Sequence, residues 1–507
     1  MDFGDGKQVM NQDLALAFQQ VFLAPSIWII VILAACYGVF LGAMPGLTAT
    51  MGVALFVPMT VWLEPVPALA AIVTMVACAI FAGDIPTTLV RIPGTPASAA
   101  YADDAYALAK QGQAEAAMGT SLWFSVTGGL LGGLLLMLLG HQLAKVAAWF
   151  SVTEYFWLYL MGLSCAVVVG RSGIAHSLAG LMIGLLLSTI GLSAVHGQAR
   201  FTFGQPELFQ GINFIPAMIG LFGLSEVLRN ATSLGSPTHA IYEGLHGKKI
   251  LGPAVLLFWQ RPLAWLRSSG LGAAIGILPG AGADMAAWVC VAVSKRFSRR
   301  PAEYGQGSID CIADACAGNS SSLAGAWIPA LVFGIPGDSV TAIVIGVLYM
   351  KNLKPGPEIF EQQGALVYSI YFIFILANLV LLPIGWIAIK MGSQVLRIPR
   401  RILLPIIVLF CIVGAYAANA SVFDIGLMIV FGLLGVICER WGISIGALVL
   451  GLILGGPLEE RFVQSLAGDQ GNLLAFVDRP VAAILAISCL LLWGSVAVSV
   501  IRQWRNP

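Results

Sequence analysis

Asp84, Arg91, Glu226, Asp284, Asp314 and Asp338 stand within or beside long apolar stretches, where a charge is costly unless it meets a partner, a cation or a ligand. Four of them adjoin a break of one kind. Asp84 and Arg91 precede Ile92-Pro93-Gly94, Asp284 follows Pro279-Gly280, and Asp338 follows Ile335-Pro336-Gly337. Short polar side chains gather at the same places: Thr48 and Thr50 after Pro45-Gly46, Thr95 and Ser98 after Gly94, Asn319 and Ser320 ahead of Pro336, and Ser339 after Gly337. Hydroxyl and amide groups hold oxyanions and Na+ without the desolvation cost of a full charge. The chemistry indicated is binding and release rather than bond making. No Walker sequence, nucleophile elbow or zincin helix occurs, and His141, His176, His196, His239 and His246 are scattered without metal-ligand spacing.

The elements that must position these groups come in two copies. Gly38, Gly42, Pro45 and Gly46 reappear in spacing as Gly272, Gly276, Pro279 and Gly280, and each set is followed by Ile-Pro-Gly. Proline removes a backbone donor and glycine accepts the dihedrals that follow, so each break ends one half-helix and opens another. An opening end offers free N–H groups and partial positive charge to a carboxylate, and a closing end offers carbonyls to a cation. Broken backbone inside a membrane must be shielded by protein or line a cavity. Paired breaks in corresponding places of two halves therefore point to a transporter's binding site. The four breaks are expected to converge.

Composition agrees with a membrane protein. The 507 residues are 58% hydrophobic and 10% charged, with mean hydropathy +0.89. Soluble domains carry roughly 25% charged residues. Net charge is +1, with no basic tract for nucleic acid. Cys36, Cys78, Cys165, Cys290, Cys311, Cys316, Cys411, Cys438 and Cys489 lie mostly singly in apolar segments, which suits packing rather than disulfides or metal. Residues 1–20 lack the basic start of a cleavable signal, so the first span is expected to be retained.

The expected fold is all-α and membrane-integral, with about 12 transmembrane helices plus broken or re-entrant hairpins. Residues 1–228 form the first membrane half (motifs 38–46 and 83–98), 229–267 a cytoplasmic connecting loop, and 268–507 the second half (motifs 272–284 and 318–339). If 48–63 crosses the bilayer, about six spans separate the copies and the repeats are inverted. Lys/Arg bias puts 229–267, 295–300, 397–401 and the tail with Arg502 and Arg505 in the cytoplasm. Candidate substrate contacts are Pro45, Gly46, Thr48, Arg91, Gly94, Thr95, Ser98, Gly280, Asn319, Ser320, Gly337 and Ser339. Asp284, Asn319 and Asp338 are candidate cation ligands. Arg91 either grips a carboxylate or pairs with Asp84. Asp284 either caps its helix or joins a cation site. Asp103 and Asp104 read as a solvated helical cap.

At these residues the chain resembles the large membrane subunit of the tripartite tricarboxylate transporters, over nearly its whole length. The resemblance rests on Gly-Ala-Met-Pro-Gly (42–46), Ile-Pro-Gly (92–94) with Tyr101-Ala102-Asp103-Asp104-Ala105, Gly276-Ile277-Leu278-Pro279-Gly280-Ala281-Gly282, and Leu331-Val332-Phe333-Gly334-Ile335-Pro336-Gly337 with Lys354-Pro355-Gly356-Pro357. It implies an ion-coupled importer of organic carboxylates in the bacterial inner membrane. Its partners would be a small membrane subunit and a periplasmic solute-binding protein. No organic cofactor is implied; the coupling ion would be Na+ or H+. Two departures from the family's pattern stand out. An acid and paired asparagines are typical where this chain has Cys316, Asn319 and Ser320, with Asp314 shifted by two, and an uncharged residue is typical at Arg91. The resemblance thus carries the ligand class and no single member. A stand-alone carboxylate transporter, a multispan membrane enzyme and a channel are the competing readings.

Overall fold

The computed structural model describes residues 3–44, 47–169, 173–193, 197–231, 250–280, 282–395, 400–468 and 470–505. Pro45, Gly46, Ala281, His196, His239, His246 and Arg397 lie outside the described residues. Helices account for almost all regular structure; a two-residue antiparallel pair, Gly191–Leu192 with Ala199–Arg200, is the exception among the described residues. By length and composition, 5 described helices can cross a membrane: Pro25–Gly42, Pro65–Val90, Ala114–Ala147, Gly364–Gly392 and Val422–Arg440. Shorter apolar helices, among them Ala49–Thr60 and Ser339–Met350, accompany them. The architecture is that of an all-α, multi-pass membrane protein.

The first half supplies α1 (Pro25–Gly42), α2 (Ala49–Thr60), α3 (Pro65–Ala82), the short α4 (Asp84–Val90) and α5 (Ala114–Ala147). The second supplies α6 (Pro262–Ile277), α7 (Gly282–Phe297), α8 (Ile309–Phe333), α9 (Ser339–Met350) and α10 (Gly364–Val395), followed by α11 (Val422–Arg440) and α12 (Ile445–Gly468). Proline in the first turn opens α1, α3 and α6, where its missing N–H costs nothing. Thr48 caps α2, accepting the Met51 N–H at 3.2 Å, and Ser308 caps α8, accepting that of Cys311 at 3.3 Å.

Two helices form the interior. In α3 every residue from Ala68 to Ala82 is buried, and in α8 every residue from Cys311 to Val332 except Ser320. The duplicated glycines explain how a neighbour reaches each of them. A methyl group on Gly38 or Gly42 of α1 would lie 2.3 or 2.2 Å from the carbonyl oxygens of Met75 and Ala79 in α3. On Gly272 or Gly276 of α6 it would lie 2.1 or 2.3 Å from those of Gly318 and Ser322 in α8. Only glycine permits such backbone-to-backbone contact, and both copies use it in the same register. The halves also interlace: α5 packs on α8 of the second half, and α10 on α3 of the first.

The segment expected as a connecting loop, 229–267, is partly helical. Residues Gly252–Gln260 form a helix and Pro262 opens α6. The run Leu251-Gly252-Pro253-Ala254-Val255-Leu256-Leu257-Phe258-Trp259 is apolar and carries proline near its start, but flanking basic residues hide it in a composition average. Phe258 anchors it edge-on against Trp123 and Phe124 of α5.

Candidate functional site

Both halves build the Ile-Pro-Gly turn in the same way. Arg91 ends α4 and Gly334 ends α8 in the left-handed conformation, at φ 56° and 69°. The next N–H returns to a proline carbonyl, Ile92 to Pro86 at 3.4 Å and Ile335 to Pro329 at 3.2 Å. After the glycine comes a reciprocal cap. The Thr95 and Ser98 backbone N–H groups each donate to the other's hydroxyl at 3.1 Å. The Thr341 N–H donates to the Asp338 carboxylate at 2.8 Å, and the Asp338 N–H to Thr341 Oγ1 at 2.9 Å. The Gly280 N–H donates to the Gly337 carbonyl at 2.9 Å, joining the two second-half breaks directly.

Segments that follow all four breaks reach one cavity of ≈ 640 Å³: Thr48–Thr50, Thr95 with Pro96, Gly280 with Gly282–Asp284, and Asp338–Val340. That volume is within the ~300–1,000 Å³ typical of small-molecule sites. The corner between α11 and α12 completes the wall with Ser444–Ala447, where Ser444 accepts the Ala447 N–H at 3.3 Å. Thus α2, α7, α9 and α12 all begin at the cavity. Helix starts carry N–H groups and partial positive charge that favour an anion; Thr48, Asp338 and Ser444 each cap one of these four.

The described side chains around it lean the other way. Glu226, Asp284, Asp338 and Glu439 line the cavity against Arg229 as the cation among the described lining residues. Arg229 reaches Glu439 at 3.3 Å and also bonds Glu226, whose carboxylate accepts the Asn230 amide at 2.9 Å. Asn319 lines the cavity, is 4% exposed, and its buried side-chain carbonyl has no hydrogen-bond partner. A buried amide in that state is short of a donor or a cation.

Of the candidate residues, Thr48, Thr95, Gly280, Asn319, Ser339, Asp284 and Asp338 line the cavity. Pro45 and Gly46 are outside the described residues. Arg91 stands elsewhere, which corrects both expectations for it: its side chain is 60% exposed and its Nε donates to Asp103 at 2.9 Å. Arg91 does not line the cavity, and no described salt bridge joins it to Asp84. Ser98 is buried and bonded to Thr87 and Thr95. Gly94 and Gly337 serve close packing, on Gly83 and Ala326 respectively. Ser320 is half-buried and does not line the cavity.

Sequence reasoning missed several roles. Asp104 is no solvated cap. It is 3% exposed and accepts the backbone N–H groups of Gly305, Gly307 and Ser308 at 2.8, 2.9 and 2.7 Å. Asp314 is held by Arg267 at 3.1 Å and by Ser294, and Asp310 by Arg261 at 2.5 Å, so arginines read as loop charges fix α8 in place. Asp84 is buried, with hydroxyls of Tyr101 and Ser121 donating to it. The signal at Arg229 and Glu439 was their position just past apolar runs, indistinguishable in sequence from ordinary interfacial charges.

A family model described as the Tripartite tricarboxylate transporter TctA family matches residues 28–450. Two proteins of Agrobacterium vitis are similar. An uncharacterized 52.8 kDa protein in the TAR-I ttuC' 3'region is 32% identical over 465 residues, 90% of each chain. An uncharacterized protein in the TAR-II ttuC' 3'region is 34% identical over 224 residues, 44% of this chain and 93% of the relative. The chain matches no solved structure.

Proposed function

Because the chain belongs to the tripartite tricarboxylate transporter TctA family, we propose that it is the large membrane subunit of a binding-protein-dependent importer. On this reading it carries an organic carboxylate across the bacterial inner membrane together with a coupling cation, its C-terminus in the cytoplasm. A small membrane subunit and a periplasmic solute-binding protein complete the system. The two halves are inverted repeats whose breaks hold the substrate between them.

One observation carries the reading: the cavity combines four helix starts with an excess of carboxylates. The helix starts favour an oxyanion. Glu226 and Glu439 share the guanidinium of Arg229 and Asp338 adds a further carboxylate, so the acids around the cavity favour positive charge entering with the anion. A site with both properties suits an anion that travels with a cation. On this reading Asn319 and Ser339 meet the anion, and Asp284, Asp338 and Asn319 the cation; all of them line the cavity.

Proteoliposomes containing the full chain with its small subunit and binding protein test this. With labelled succinate, citrate and an aromatic acid as probes, accumulation above the external concentration is expected under a Na+ or pH gradient. Dependence on the binding protein separates the tripartite system from a stand-alone transporter. Equilibration without accumulation would identify a channel, and no flux of any carboxylate would reject the reading.

A further inference from the structure

Asp84 is buried where three elements meet. Its Oδ1 accepts from Tyr101, on the turn Ser98–Tyr101, and its Oδ2 from Ser121 of α5. The Cys316 thiol of α8 stands 3.7 Å from Oδ2. Tyr101 and Cys316 are thus the titratable groups that face it. Among the described residues, no cation of the other packed elements is paired with it. Helix α3 contains no charged residue. Lys390 of α10 lies over the Trp386 ring, at 3.4 Å. In the helix Ala102–Lys110, Asp103 is bonded to Arg91, Asp104 holds Gly305–Ser308, and Lys110 lies over Tyr106. No described salt bridge includes Asp84. A carboxylate sealed from water without a cation is strongly disfavoured, and a carboxylic acid with hydroxyl partners is not.

Both ends of this cluster lead to the cavity. Thr87, on the same short helix as Asp84, donates to the Gly83 carbonyl at 2.7 Å and accepts the Gly94 N–H at 3.3 Å, next to Thr95 in the cavity wall. On α8, Cys316 is one turn before Asn319, which lines the same cavity.

We propose that Asp84 is the proton-carrying carboxyl of the transport cycle, so that a proton moves with the carboxylate alongside the cation held at the cavity; this rests on the transporter reading above. In the closed, loaded state Asp84 is neutral. Its O–H donates to the Ser121 oxygen while the Tyr101 O–H donates to its other oxygen. Release passes that proton to water on the cytoplasmic side, and the carboxylate left behind accepts from both hydroxyls. Still without a cation, that carboxylate draws in water and loosens the first hairpin from α5 and α8. The hairpin closes again when a proton is taken up from outside.

Infrared spectroscopy on the full chain in lipid reads the proton without any substrate. At neutral pH the wild type should show a protonated-carboxyl stretching band that Asp84→Asn removes and Asp338→Asn leaves. An identical band region in wild type and Asp84→Asn would overturn the proposal. In proteoliposomes with labelled succinate and citrate, Asp84→Asn should lose accumulation driven by a pH gradient while keeping exchange of internal for external substrate, which moves no net proton. Accumulation by Asp84→Asn equal to that of the wild type would also overturn it. A wild type that moves no carboxylate counts against the transporter reading, and the infrared comparison then decides the proton site by itself.

Discussion

Asp84 and Cys316 face each other across the two halves of the molecule, Oδ2 to Sγ at 3.7 Å, although 232 residues separate them in sequence. Position 316 is where the family resemblance leads one to expect an acid. In this chain a carboxyl arrives at the same spot from the opposite helix.

That relationship gives an exchange experiment. Asp84→Ser should abolish gradient-driven uptake, and Asp84→Ser combined with Cys316→Glu should recover a large part of it, because the carboxyl is returned to the same hydroxyls from α8. Coupling between touching residues is about 0.5–3 kcal/mol, enough for the double variant to depart clearly from additivity. Initial rates of uptake at matched membrane abundance check it.

Asn319→Ala is expected to raise the half-saturation concentration about tenfold, since a hydrogen bond to a charged ligand contributes roughly 1.5–3 kcal/mol. Folding should change little, because the amide carbonyl has no protein partner to lose. Uptake kinetics and protein abundance together check this.

Arg91→Gln should leave the half-saturation concentration unchanged. The guanidinium is exposed and its partner is Asp103, so the loss is at most about 1 kcal/mol of stability. Arg91→Gly should be more stable than Arg91→Gln by about 1 kcal/mol, because glycine relieves the left-handed backbone that Gly334 occupies freely in the second half. Thermal unfolding in detergent compares the two.

Gly276→Val should sharply reduce folded protein. Its Cβ would meet the Ser322 carbonyl at 2.3 Å, backbone against backbone, where overpacking costs typically about 1–3 kcal/mol or more. Gly456→Val, at a position with open space, serves as the control. Size-exclusion chromatography of the expressed variants distinguishes them.

Asp104→Ala should lower thermal stability without changing substrate affinity. Three backbone N–H groups, of Gly305, Gly307 and Ser308, would lose one shared acceptor, at about 1–3 kcal/mol for buried unsatisfied donors. Melting curves against uptake constants test the separation.

The repeat was legible because glycine and proline punctuate backbone directly. Gly38, Gly42, Gly272 and Gly276 fix where helices touch, and Pro93 and Pro336 fix where they break, whatever surrounds them. Side-chain partners were not legible. Asp84 is near Arg91 in sequence, yet the fold pairs Arg91 with Asp103 instead. Asp104 and Arg229 depend on neighbours about 200 residues away, Ser308 and Glu439. Their types and local spacing match any surface charge.

The interlacing of α5 with α8 and of α10 with α3 also orders events during synthesis. Helix α3 leaves the ribosome long before Gly364–Val395 exists to cover it. At about 5–20 residues per second the wait is on the order of tens of seconds. Throughout that interval the helix destined for the centre of the protein must be sheltered by lipid, by the insertion machinery or by another subunit already in the membrane.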